Sequence, residues 1–139
     1  MKAIPFRLLP GQDLKKSCSS FFLDQIAKLN SKNSDLAASV VSAVGSLSVV
    51  HLRLAGAKGN VELTGPFEIV SLSGTLSVDG AHLHISVADQ EGKVIGGHLM
   101  DESLIHTTAE IVILLMEDYS FQRRLDSQTG YRELKIYQN

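Results

Sequence analysis

His82, His84 and His98 are the residues of this 139-residue chain whose type and spacing could do chemistry together. Residues 81 to 89 alternate between apolar and polar, the period of a half-buried strand. Leu83, Ile85 and Val87 then fall on one face, and His82, His84 and Ser86 on the other. Gln90-Glu91-Gly92 reads as a three-residue hairpin loop, with Gly92 supplying the left-handed residue. That loop length pairs Asp89 with Lys93. It therefore sets His84 opposite His98, Val87 opposite Ile95, Ile85 opposite Gly97 and Leu83 opposite Leu99, with all three imidazoles on one face. Directly opposed Cβ atoms lie about 4.5–5.5 Å apart, and His82 stands one pleat repeat, about 7 Å, from His84. Imidazole nitrogens can close that gap around one zinc ion at about 2.0–2.1 Å each, leaving the fourth tetrahedral position open. A loop longer or shorter by one residue would turn His98 to the core face and destroy the site. Gly96, on the histidine face, leaves room for a ligand or for another backbone.

The remaining candidates are weaker. His51 alternates with Arg53 and reads as solvated or partner-facing, and His106 lies near the start of an element. Glu110 and Glu68 could each hold a ligating imidazole in orientation, although a cap or an ion pair is the plainer role for both. Cys18 stands alone, which excludes an internal disulfide and a cysteine zinc cluster. Its helical spacing with Leu14, Phe21, Phe22 and Ile26 makes it a small buried apolar residue. Arg123-Arg124 is too short to form a basic patch, and no general base is legible beside the histidines.

The elements that must position these residues belong to a chain with 44% hydrophobic and 20% charged residues and a net charge of −2. That balance excludes a disordered chain and speaks against a free-standing binder of phosphate backbones. The length suits a single domain over residues 1–139. No apolar run approaches the roughly 20 residues that span a bilayer. The N-terminal residues lack the apolar core of a secretory signal, so a cytoplasmic, reducing setting without membrane contact is expected.

Ala3 to Leu9 reads as a strand ended by Pro10-Gly11, and Asp13 as the N-cap of a helix running to about Leu29. Asn30 to Asp35 reads as a polar linker. Strands are expected at residues 38–44 and 48–54 around Gly45, and at 67–78 with Gly74 a bulge candidate. Asp79-Gly80 signals a hairpin, Thr107 to Met116 is β-branched at first, and Leu134 to Tyr137 is a final alternating strand. One clear helix among many strands gives an α+β domain in two layers, with a largely antiparallel sheet covered on one face.

With these residues in hand, the chain resembles the PPC (plants and prokaryotes conserved) domain nearly from end to end. Arg7 with Pro10-Gly11-Gln12-Asp13-Leu14 resembles its opening motif, and Val44-Gly45-Ser46-Leu47 its Ile-Gly-Ser segment. Gly65-Pro66-Phe67-Glu68-Ile69-Val70 is similar to the Gly-Arg-Phe-Glu-Ile-Leu motif of plant members, with Pro66 in place of the arginine. Most specific are His82-Leu83-His84-Ile85-Ser86, Gly92 and Gly96-Gly97-His98-Leu99.

The resemblance implies a mostly antiparallel sheet flanked by helices, a homotrimer, and a divalent metal, zinc by preference, on His82, His84 and His98. It implies a protein-partner contact at Gly65, Phe67, Glu68 and Ile69, as in plant members, whose DNA contacts come from an AT-hook that this chain lacks. Bacterial single-domain members are described as DNA-binding, which the acidic balance does not support. Cupins also use His-x-His, but the glycine and acidic spacings and the Pro-x-Gly of that pattern are missing. Three readings are thus set against one another: a non-catalytic, trimeric metal- or ligand-binding regulatory module, a small metal-dependent enzyme, and a DNA-binding regulator.

Overall fold

The computed structural model describes residues 1–29 and 35–139, so most of the linker expected at Asn30 to Asp35 lies outside the described residues. Strand β1 (Lys2–Leu8) runs into the turn at Pro10-Gly11, where the Gly11 amide donates to the Ile105 carbonyl at 2.8 Å. Helix α1 (Leu14–Lys28) begins where Asp13 caps it, its carboxylate accepting from the Lys16 amide at 2.9 Å. Leu14, Cys18 and Phe22 recur at the helical period and are completely buried, and Phe21 stacks on Phe6 with ring centroids 3.9 Å apart. The other Asp13 oxygen accepts from the amide of Glu102, a non-glycine residue at φ 68°. One carboxylate thus ties the helix start to a strained loop. Asp13→Ala is expected to cost about 1–2 kcal/mol, read as a lower urea midpoint at unchanged slope.

The remaining elements are β2 (Leu36–Arg53), β3 (Val61–Ser77), β4 (Gly80–Ala88), β5 (Val94–Leu99), β6 (Leu104–Leu125) and β7 (Arg132–Gln138). They form one seven-stranded sheet in the order β1-β6-β2-β3-β4-β5, with β7 pairing β6. The pairings are antiparallel. At the end of β2, Leu52 and Arg53 leave β6 and pair with Leu99 and His98 of β5. This closes a ring through β2, β3, β4 and β5. Inside it lie Leu47, Leu52, Leu76, Leu83, Val87 and Leu99, all completely buried.

The expectation of a two-layer α+β domain with flanking helices is overturned. Strands hold 65% of the described residues and the single helix 11%. The physical reason is legible in hindsight, since only the segment after Asp13 sustains a 3.6-residue apolar period. The long strands β2, β3 and β6 bend through register shifts, and the sheet covers much of its own core by closing on itself.

Smaller expectations shift as well. The two strands foreseen around Gly45 are one, because β2 continues through Gly45. A Cβ there would sit 2.6 Å from the Ala109 Cα. The irregularities of β3 fall between Ile69 and Ser71, against β4, and between Thr64 and Phe67, against β2, leaving Gly74 regularly paired with Leu83. The hairpin signalled by Asp79-Gly80 is present, with Val78 and Asp79 as its turn and Ser77 paired to Gly80.

Candidate metal centre

The β4–β5 hairpin has the register that its loop length dictates. Asp89 donates its amide to the Lys93 carbonyl at 3.0 Å, and its side chain accepts from the Glu91 and Lys93 amides at 2.9 Å each. Gly92 takes φ 78°, the left-handed residue of the loop. From there Val87 pairs with Ile95, Ile85 with Gly97 and His84 with His98. The ladder stops there, so Leu99 faces Leu52 of β2 rather than Leu83. Leu83, Ile85, Val87 and Leu99 are buried, which leaves the three histidines on the opposite face.

The imidazole centroids are 5.2 Å (His82–His84), 4.8 Å (His82–His98) and 5.5 Å (His84–His98) apart. One nitrogen from each ring lies within 4.8 Å of the other two. Around a tetrahedral zinc the nitrogens would stand about 3.3 Å apart, a contraction within reach of small χ adjustments. The donor set fits a borderline-soft divalent ion, because three imidazoles suit zinc and its first-row neighbours better than magnesium or calcium.

Burial and neighbouring positive charge keep the His82 and His98 rings in their ligating form. Burial pushes His98 down to about 4, helped by the charge of Arg53. Burial also lowers His82, with Arg123 as the next cause. Neutral imidazole is the form that binds metal. In the unfolded chain a histidine titrates near 6.5, so between that value and about 4 the unfolded state binds more protons than the fold. Stability of the metal-free protein is therefore full above pH 6.5 and is lost as the pH falls through this window. Urea midpoints of chelator-treated protein at pH 7.5, 6 and 5 should fall in that order. His98→Gln should flatten the trend.

The sheet surrounds the imidazoles with groups that the sequence reading passed over. Arg53 pairs directly with His98, and Thr75 and Ser73 of β3 pair with His82 and His84. Arg123 of β6 donates to the Thr75 hydroxyl at 2.9 Å. A cavity of about 420 Å³ opens beside His82 and His98, and Arg53, Arg123, Arg132, Asp79, Glu133 and Tyr131 help to wall it. Arg53 is remote in sequence and reaches His98 only through ring closure. Arg123, half of a pair too short to form a basic patch, reaches the site only because β6 carries it to Thr75 of β3.

The other expected residues lie elsewhere. Glu110 pairs with Arg7 and lines a separate depression with Phe6 and Val44, and Glu68 pairs with Ala88; neither borders the cavity. Phe67 and Ile69 are buried, whereas Glu68 between them is exposed. Gly65 precedes a cis bond to Pro66. His51 is held between the Glu62 carboxylate at 2.9 Å and the Glu102 carbonyl at 3.0 Å, a structural rather than a ligating place. His106 is exposed. At Gly96 the room is taken by backbone, since a Cβ would stand 2.6 Å from the Ile85 carbonyl oxygen.

A closed, strand-rich sheet carrying three histidines on one hairpin face defines the class of protein. The model of the Plants and Prokaryotes Conserved (PCC) domain matches residues 1–117, and the chain belongs to that family. It is 46% identical over 136 residues to the bifunctional protein GlmU of Synechococcus sp. (strain JA-3-3Ab), a match covering 98% of this chain and 21% of that protein. The chain thus spans about a fifth of the length of the curated relatives it matches. A hypothetical protein from Salmonella cholerae-suis (Salmonella enterica) is 38% identical with a TM-score of 0.87, covering 99% of this chain and 94% of that one. The metal-containing protein from Archaeoglobus fulgidus is 28% identical with a TM-score of 0.70, covering 96% and 92%. No helix among the described residues is long and apolar enough to cross a membrane.

Proposed function

We propose that the chain is a non-catalytic, homotrimeric metal-binding module in which His82, His84 and His98 hold one divalent cation, zinc by donor type. The observation that carries this reading is the convergence of three imidazole nitrogens within 4.8 Å on one sheet face. The description of the Archaeoglobus relative as metal-containing adds support. A bound zinc ion would supply a Lewis-acidic position for one further donor. The chain's own residues orient the rings, through the β4–β5 register, and keep two of them neutral.

In the Synechococcus relatives the matched region is a fifth of a longer bifunctional protein, the arrangement of an appended module. The net charge of −2 gives no electrostatic footprint for duplex DNA.

Elemental analysis of untagged protein tests the metal, and light scattering tests the assembly. One zinc per chain and three chains per particle are expected. Less than about a tenth of a metal per chain after zinc is supplied, or a monomer at micromolar concentration, would overturn the corresponding half.

A further inference from the structure

The cavity beside the histidines has a charge pattern that three imidazoles and a cation do not explain. Arg53 and Arg123 border it, and neither guanidinium has an ion-pair partner among the described residues. Arg53 is the cross-strand neighbour of His98, and Arg123 is held by the Thr75 hydroxyl that stands opposite His82. The third arginine, Arg132, is engaged, donating to the Arg123 carbonyl at 2.9 Å and lying 3.9 Å from Asp79. Glu133 accepts from the Thr129 hydroxyl at 3.0 Å. Arg132 is set against Asp79, and the Glu133 carboxylate offsets only one of the other two guanidiniums, so a divalent cation on the histidines would add two positive charges to a cavity that already carries a net positive one. Like charges so placed repel. An anion bound between them removes the conflict.

We infer that this cavity takes a small organic carboxylate, seated between the Arg53 and Arg123 guanidiniums and facing the open side of the three-histidine site. The inference rests on the metal reading above and names the ligand class of that same site. A guanidinium fork matches a planar carboxylate in two parallel hydrogen bonds. About 420 Å³ is more than a bare inorganic oxyanion fills, and it lies in the range of small-molecule sites. Ala81, Gly80 and the Tyr131 side chain supply apolar wall for a carbon skeleton. Arg123 comes from β6, Arg132 and Glu133 from β7, and Tyr131 from the turn between them, so the C-terminal strands wall the cavity beside the histidine hairpin.

The test is isothermal titration of succinate into untagged protein, cobalt-loaded and metal-free, with inorganic phosphate as the comparison anion. The cobalt absorption spectrum is followed in parallel. Saturable succinate binding that perturbs the cobalt spectrum is expected, tighter in the loaded protein and tighter than phosphate. Arg53→Gln and Arg123→Gln should each weaken it about tenfold to a hundredfold, the loss of a charge-assisted contact, with cobalt stoichiometry unchanged. Arg53 is exposed and its guanidinium has no ion pair among the described residues, so its variant is expected to fold even if that of Arg123 does not. Cobalt uptake without succinate binding, with equal binding by both variants, or with tighter binding of phosphate overturns the carboxylate site and leaves the metal reading standing. Failure of cobalt to bind, with arginine-dependent succinate binding retained, overturns the metal reading and upholds the arginine cavity. Failure of both overturns both.

Discussion

His84→Ala is expected to abolish stoichiometric zinc retention, whereas His51→Ala is expected to leave it intact. His84 is the ring opposite His98 in the hairpin ladder and stands 5.2 Å from the His82 ring, so its loss leaves only the His82–His98 pair, 4.8 Å apart, as donors. A four-donor structural zinc site is worth roughly 10–16 kcal/mol, so one imidazole accounts for about 3 kcal/mol, near a hundredfold in affinity. His84 is solvent-exposed and its substitution opens no core cavity. The metal-free variant should therefore unfold within about 0.5 kcal/mol of the parent. His51 offers the contrast, because both of its nitrogens are committed to Glu62 and to the Glu102 carbonyl. Its loss should lower stability without touching the metal. Competition titration against a chromophoric zinc chelator measures both variants, and equal affinities would show that the convergent histidines are not the ligands.

How much of this was legible follows from the range of the interactions involved. The hairpin register is local: a three-residue loop, one left-handed glycine and strict alternation fix which residues of β4 and β5 meet. Helix α1 was legible for the same reason, through Asp13 and the Leu14-Cys18-Phe22 period. Ring closure was not, because Leu52↔Leu99 and Arg53↔His98 join residues far apart in sequence that no periodicity relates. The flanking helices were expected from family likeness, and the closed sheet takes over the covering they would have supplied. The charged cavity was not legible because its arginines come from β2, β6 and β7, and only their convergence gives any one of them meaning.

Gly74→Ala is expected to be the most damaging single-methyl change near the site. Gly74 has φ 143°, which an L side chain adopts only with strain, and it pairs with Leu83 in the β3–β4 ladder. A Cβ there would press on the His82 carbonyl and stand 2.9 Å from both the His82 carbonyl carbon and the Leu83 Cα. These are backbone atoms of a paired strand, so no side-chain rotation can relieve the overlap. Backbone strain of about 1–3 kcal/mol and overpacking of about 1–3 kcal/mol together predict a loss of roughly 2–5 kcal/mol. For a chain of this size that is a fall in Tm on the order of 10 °C. The displaced strand carries His82, so zinc affinity should fall together with Tm although no ligand has been removed. Gly59→Ala is the control, since no atom lies within 4 Å of its Cβ position and its φ lies outside the left-handed range. It should stay within about 0.5 kcal/mol of the parent. Differential scanning calorimetry with and without zinc measures both effects. A Gly74→Ala protein with parental Tm and zinc affinity would show that β3 and β4 are not packed as closely beside His82 as this backbone requires.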